Sequence, residues 1–173
     1  CRWPRGGGAP VTLALAVDVE GHLGTDGDFY ILDTARMTPP EAGAGWSIFC
    51  RLLRPEFVAD WALLNGPLSA DALSLFAARK VDGHLQLEEE GMAQNQAVHK
   101  ATRYLLDVVI PSLAQELREG VCPAPEFLSQ HLHAAGVNVR HLGRLRTAVG
   151  YSGDLSRLLL GAMVSRTLKN ILR

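Results

Sequence analysis

The chain has 173 residues, a formal net charge of -1 at pH 7, 47% apolar residues and 20% charged ones. That length suits one domain, or one domain with an appended helical subdomain, and the apolar share supports a buried core, which excludes disorder throughout. The near-neutral balance gives no bulk attraction for nucleic acid or for an acidic partner.

Cys1, Cys50 and Cys122 are too sparse for a disulfide framework or a paired-thiol zinc site and read as reduced thiols. No run of about 18 apolar residues is present, so no transmembrane helix is expected. Residues 1–8 lack the apolar core of a signal peptide. The first residue is not methionine, and the chain reads as a piece of a longer protein.

Residues 1–10 are rich in Gly, Pro and Arg and are expected to be flexible, with one folded domain over 11–173. Residues 11–17 are a short apolar run whose valines favour a strand. Residues 28–33, with Phe29, Tyr30 and Ile31, have the content of a second strand. Between them Asp26-Gly27 is the pair preferred in a tight hairpin turn, where φ is positive. Residues 11–33 are therefore predicted to form a β-hairpin. Tyr30 and Leu32 share one face, Phe29 and Ile31 the other, and both faces are expected to be buried.

Pro39-Pro40 stops regular structure. Residues 46–53 have helical spacing, Pro55 suits the first position of a second helix, and Ser69 is placed to cap a third over 70–79. The longest helical region is predicted over 88–118, with Met92, Ala97, Ala101, Leu105 and Val108 at three- and four-residue steps. Pro111 removes a backbone donor and crowds the preceding turn, so the helix is expected to kink or break there and restart, ending near Gly120. Further helices are predicted over 125–134, ending near Gly136, over 139–149, and over 154–172 with Asp154 as cap. The fold class is α+β: a hairpin or small sheet followed by a mostly helical region. No solenoid period is present.

Gly24-Thr25-Asp26-Gly27-Asp28-Phe29-Tyr30-Ile31-Leu32-Asp33, continuing through Arg36 to Pro39-Pro40, is similar to a signature of the Clu domain of the clustered-mitochondria family, roughly G-x-D-G-R-x-Y-x-L-D-x-x-R-x-x-P-P. Arg54-Pro55-Glu56-Phe57-Val58 resembles that family's R-P-E-[LF]-V element. Gly136-Val137-Asn138-Val139-Arg140-His141-Leu142-Gly143 resembles its G-[IV]-N-x-R-x-[LI]-G element, and residues 163–173 resemble the helix that follows. The four matches run in the family's order over about residues 15–173. Asp28 departs from the pattern, where the family usually has arginine, and residues 80–98 match nothing in it. The motif positions Asp26, Gly27, Tyr30, Asp33, Arg36, Pro39, Pro40, Arg54, Pro55, Glu56, Gly136, Asn138, Arg140 and Gly143 are read as structural. The resemblance implies a cytoplasmic protein of mitochondrial distribution, associated with mRNAs for mitochondrial proteins and with ribosome-associated proteins. It implies further domains of the same protein as partners; no cofactor, no catalysis and, from the absence of a long apolar run, no membrane insertion are expected.

Asp18, Asp26, Asp28 and Asp33 are hard-cation ligands in type, but not at EF-hand spacing. Turn and strand-end caps are the preferred reading. Residues 31–35 also resemble the strand that ends in a magnesium-holding aspartate in kinase-like folds. With no H-R-D loop, glycine-rich loop or Val-Ala-x-Lys strand, a degenerate kinase-like nucleotide-binding domain stands only as the enzyme alternative. Arg36 and Arg54 are each expected to hold a carboxylate such as Glu41 or Glu56 in a bidentate pair. His131 and His133, two apart on a helix, point to nearly opposite sides and do not suit a shared metal.

The strongest hint of a partner is the C-terminal charge. From residue 140 onward Arg140, Arg144, Arg146, Arg157, Arg166, Lys169 and Arg173 face only Asp154, a local charge of +6. Three- and four-residue steps make basic stripes that suit a phosphate backbone, so Arg140, Arg144, Arg146, Arg166, Lys169 and Arg173 are the candidate RNA contacts. Tyr151 is the one aromatic of this segment that can stack on a base. The alternatives are a solvated outer face and a protein-interaction scaffold without RNA contact. The apolar residues of the last helix suit a core, or packing on a neighbouring domain.

Overall fold

The computed structural model describes residues 16–43, 50–81, 84–87, 89–120 and 122–172. The chain divides into two compact units, Cys1–Leu52 with Gly66–His99, and Leu53–Asn65 with Lys100–Arg173. The α+β class holds: short antiparallel ribbons lie in the first unit and a helical assembly makes up the second.

In the first unit β1 (Glu20–Leu23) pairs antiparallel with β2 (Phe29–Leu32), Glu20 opposite Leu32 and Leu23 opposite Phe29. The hairpin is present, and Gly27 takes a φ of 78° in its loop. Its first strand, however, is 20–23. Of the run expected there, residues 11–15 lie outside the described residues, and Val17 and Asp18 form a turn. The strand faces also differ from expectation: Phe29 is 61% exposed and Leu32 46%. A two-stranded ribbon needs a further layer to bury both faces, and these two side chains receive none.

The helix expected over 46–53 is not seen at 50–53; residues 44–49 lie outside the described residues. Leu52 instead forms an isolated antiparallel bridge with Pro40, and Glu41 N donates to Arg51 O at 2.7 Å. The helix expected over 70–79 is replaced by turns, a 3₁₀ turn (Leu75–Ala77) and a second hairpin of β3 (Ala78–Val81) and β4 (His84–Leu87). The causes are local. Ser69 Oγ accepts from Asp71 N at 3.2 Å, a side-chain turn that competes with helix. Leu73 sits at a φ of 61°, which a right-handed helix cannot contain. Its N–H donates to Asn95 Oδ1 at 2.6 Å, a partner from 22 residues away.

The helices are α1 (Pro55–Asn65), α2 (Glu89–Tyr104), α3 (Ile110–Glu119), α4 (Leu128–Ala134), α5 (Leu142–Val149) and α6 (Gly153–Ile171). The unit boundary falls within α2. The break expected at Pro111 is not seen: the helical run continues through it. Leu105–Val109 is a π-helical turn that leads directly into α3, and Ile110 N donates to Leu105 O, five residues back. The wider turn accommodates the donor and the space that proline removes. Gly120 ends α3.

In the second unit α5 packs against both α3 and α6. Ile110, Leu113, Ala114 and Leu117 form the buried face of α3, at the spacing of one helical stripe. Leu142 and Leu145 of α5, and Leu155 and Leu159 of α6, are buried as well. Asp154 does not cap α6. The cap position is Ser152, without a side-chain bond, and Asp154 pairs with Arg157 at 2.6 Å. From Val164 to Leu172 every residue of α6 and its cap is exposed.

α4 ends in a Schellman motif. Val137 N donates to Leu132 O at 2.9 Å and Gly136 N to His133 O at 2.8 Å. Leu132 and Val137, the apolar pair that accompanies this motif, are both fully buried. Gly136 has a φ of 71°, and a Cβ there would lie 2.9 Å from the backbone N and Cα of Phe57. Gly66, just past α1, also has positive φ, but open space where a Cβ would go. Gly136→Ala should therefore lose about 2–4 kcal/mol in urea unfolding, from left-handed strain plus the backbone clash, against about 1 kcal/mol for Gly66→Ala. Equal losses at the two glycines would show that the Phe57 approach contributes nothing.

Candidate functional site

In the first unit the family-motif residues build a hydrogen-bonded frame. Arg36 is only 4% exposed. Its Nε donates to Asp18 Oδ2 at 2.8 Å and its Nη2 to Asp18 Oδ1 at 2.7 Å, a bidentate pair. Nη2 also donates to Asp71 Oδ1 at 3.1 Å, and Nη1 to Ala70 O at 3.4 Å. Asp71 in turn accepts from Val17 N through both oxygens, at 3.1 and 3.2 Å. The hydrogen bonds from Arg36 hold the Asp18 carboxyl below the usual carboxylate range, and Asp18 raises Arg36. The carboxylate expected from the sequence was one such as Glu41; the bidentate partner is Asp18, with Asp71 beside it.

Tyr30 OH donates to Asp26 Oδ2 at 2.6 Å, and Asp28 N donates to Asp26 Oδ1 at 3.1 Å. These bonds lower Asp26 and raise Tyr30. A Cβ on Gly24 would fall 2.6 Å from both Asp26 Oδ1 and Tyr30 Cε2, so a larger residue there would displace this side-chain pair. Asp33 is exposed directly after β2 with a φ of 51°, and Pro39 and Pro40 are buried. Asp18 and Asp26 thus serve as hydrogen-bond acceptors of loops. Among the described residues no group of three or more His, Cys, Asp or Glu is placed to hold a metal.

In the second unit Arg54 and Glu56 form the expected bidentate pair, Nε to Oε2 at 3.0 Å and Nη2 to Oε1 at 2.6 Å, which lowers Glu56. Pro55 begins α1, and Gly136 lies on Phe57. Asn138 Oδ1 accepts from Arg140 N at 3.0 Å and caps the 3₁₀ turn (Val139–His141) that leads into α5. At Gly143 a Cβ would meet Met163 Cε at 3.7 Å, ordinary contact with α6. His131 faces Glu116 at 3.9 Å. His133 is lowered, first by burial and then by the positive charges of Arg54 and Arg166.

The candidate RNA contacts divide by exposure. Arg144, Arg166 and Lys169 are exposed, and Arg140 and Arg146 are half-buried; Arg173 lies outside the described residues. Arg146 Nε donates to Ser156 O at 3.3 Å and to Ser156 Oγ at 3.2 Å, and its Cζ stands 4.9 Å from the centroid of the Tyr151 ring. Arg146 therefore ties α5 to α6. On α6 the helical period places Arg166 and Lys169 away from an exposed apolar stripe of Leu160, Val164, Leu168 and Ile171. No helix is long and apolar enough to cross a membrane among the described residues.

Two family models match the chain: "Clustered mitochondria" over residues 4–43, and "Translation initiation factor eIF3 subunit 135" over residues 123–173. The clustered mitochondria protein of Arabidopsis thaliana is 26% identical, covering 93% of this chain and 16% of that protein. The homolog from Ajellomyces capsulatus is 40% identical over 49% of this chain and 7% of its own length. That from Meyerozyma guilliermondii is 26% identical over 83% of this chain and 14% of its length. The chain thus spans only 7% to 16% of these relatives. No solved structure matches.

Arg36→Met should lower stability at pH 7 by about 2–3 kcal/mol in urea unfolding, because it leaves Asp18 and Asp71 without their buried cation. The pH dependence follows from the lowered Asp18 carboxyl. Its contribution is complete above the ordinary value near 3.8 and is lost as the pH falls through the depressed folded value. Melting between pH 5 and about 2 should therefore fall less steeply in the variant than in the parent chain. Parallel curves would remove Arg36 as the source of that stability.

Proposed function

We propose that this chain is a member of the clustered-mitochondria family, on its similarity to that family's proteins, that it is a non-catalytic part of a cytoplasmic protein of mitochondrial distribution, and that it contacts messenger RNA through exposed cations of α5 and α6. The observation that carries the RNA reading is a coincidence of position. The segment similar to a translation initiation factor subunit, residues 123–173, is also the segment that holds the +6 charge cluster. The mitochondrial reading rests on the names of the relatives.

Physically, Arg144, Arg166 and Lys169 are exposed cations on helices, able to neutralise phosphates and release counterions. The non-catalytic reading is supported by the uses of the candidate acids: Asp18 and Asp26 are engaged in hydrogen bonds that hold loops. A scaffold function is the second reading, favoured by the apolar stripe of α6, which suits other domains of the same protein.

The test is RNA binding by the 173-residue chain, read by fluorescence anisotropy with a labelled single strand across a salt series. Three phosphate contacts give a log–log slope of about -2. The triple reversal Arg144→Glu, Arg166→Glu, Lys169→Glu should weaken binding at low salt by about tenfold or more and flatten the slope. Absence of binding even at low salt would sink the RNA reading and leave the scaffold. Magnesium-dependent nucleotide binding that disappears in Asp33→Ala would instead support the kinase-like alternative.

A further inference from the structure

We infer that the RNA is taken as a single strand, with an unpaired base stacked on the open face of the Tyr151 ring; this rests on the RNA-binding reading above. Tyr151 lies in the short connection between α5 and α6, flanked by Gly150 at a φ of 99° and Gly153 at a φ of 86°. These left-handed positions, which favour glycine, turn the chain sharply so that the ring returns to the last turn of α5. There the Tyr151 hydroxyl is hydrogen-bonded to Thr147 Oγ1 at 3.1 Å, and Thr147 Oγ1 also donates to Gly143 O at 3.1 Å.

One face of the ring is covered by the Arg146 guanidinium, 4.9 Å from the centroid. Arg146 is itself fixed by Ser156, which is almost fully buried. The ring is thus held at its hydroxyl edge and on one face, yet Tyr151 remains 68% exposed. That exposure leaves the other face to water.

A tyrosine whose orientation is already restricted loses little freedom when a second flat group stacks on it. The guanidinium behind the ring restrains its orientation and leaves the opposite face for the base. In a duplex the bases are enclosed in the helical stack, and only an unpaired base presents a free face. Stacking accepts every base, so the site selects strandedness and not sequence.

The test uses a fluorescein-labelled uridine 12-mer and a duplex RNA of equal length, read by anisotropy against the whole 173-residue chain. Tyr151→Ala should weaken binding of the single strand by about 5- to 150-fold and leave duplex binding unchanged, with the melting temperature lowered by only a few degrees through the lost Thr147 and Arg146 contacts. Tyr151→Phe, which keeps the ring and loses the Thr147 bond, should bind within about twofold of the parent. If Tyr151→Ala binds the single strand as tightly as the parent, the stacking site is overturned while salt-dependent RNA binding stands. Equal losses on both probes would also overturn it, because the residue would then act through the fold. No RNA binding by the parent chain would overturn both this inference and the reading it rests on.

Discussion

The backbone of Gly136 lies against the backbone of Phe57 at a distance that leaves no room for a side chain. Much of the second unit follows from that approach. It sets the end of α4 on the start of α1, where Arg54 and Glu56 form their bidentate pair. The Schellman bonds turn the chain at Gly136, and Asn138, two residues on, caps the next turn. α5 begins four residues later, with its inward face set by Leu142 and Leu145. Arg144 is then left on an exposed position and Arg146 is delivered to Ser156 of α6. A methyl group at residue 136 would disturb the first step of that sequence, and the positions of the cations depend on the later ones.

The first unit is organised on a different principle, the solvation of one buried charge. A guanidinium taken out of water needs nearly all of its donors satisfied, and removal of a partner costs more than the pair gains. Arg36 meets this demand by drawing on two distant stretches of chain, the turn at 17–18 and the turns at 70–71. The strands described in the first unit are short, so an ionic clasp with directional bonds specifies its loops alongside the packing of residues such as Val98 of α2. The same logic explains the Asp26–Tyr30 bond across the hairpin loop.

Legibility followed the range of the interaction. Asp26-Gly27, Pro55, Gly120 and Gly136 act through their own backbone angles, and each marked its turn or helix end correctly. The Arg54–Glu56 pair was legible for the same reason, since its partners are two residues apart. Asp71 is 35 residues from Arg36, and no local pattern joins them. The helical spacing at 70–79 was overridden by Leu73 and Asn95, again a long-range bond. β1 has the polar sequence Glu-Gly-His-Leu, and its pairing comes from register with β2 more than from propensity. For β3 and β4 a signal did exist: Asp82-Gly83 stands between them, the same pair that marked the first hairpin. The charge cluster was visible as composition, but its division into exposed Arg144, Arg166 and Lys169 and the clamped Arg146 depends on how α5 meets α6. Tyr151 was visible as an aromatic; the support on one face required Arg146 and two glycines in left-handed conformations.

α6 has two characters along its length. Its first half contributes Leu155, Ser156 and Leu159 to the interior, while residues 164–172 are exposed. On that exposed part the helical period separates Val164, Leu168 and Ile171 from Arg166 and Lys169. An aliphatic stripe has no chemistry for a phosphate backbone, and its burial is favourable by about 25 cal/mol per Å² only against another apolar surface. Cations beside a phosphate gain instead from charge neutralisation and counterion release. The two sides of the helix therefore suit different occupants, and filling one does not require emptying the other. An RNA contact on α5 and α6 and a protein contact on the apolar side of α6 are in this way compatible functions of one helix, which is what a segment spanning a small part of a much longer protein has room to combine.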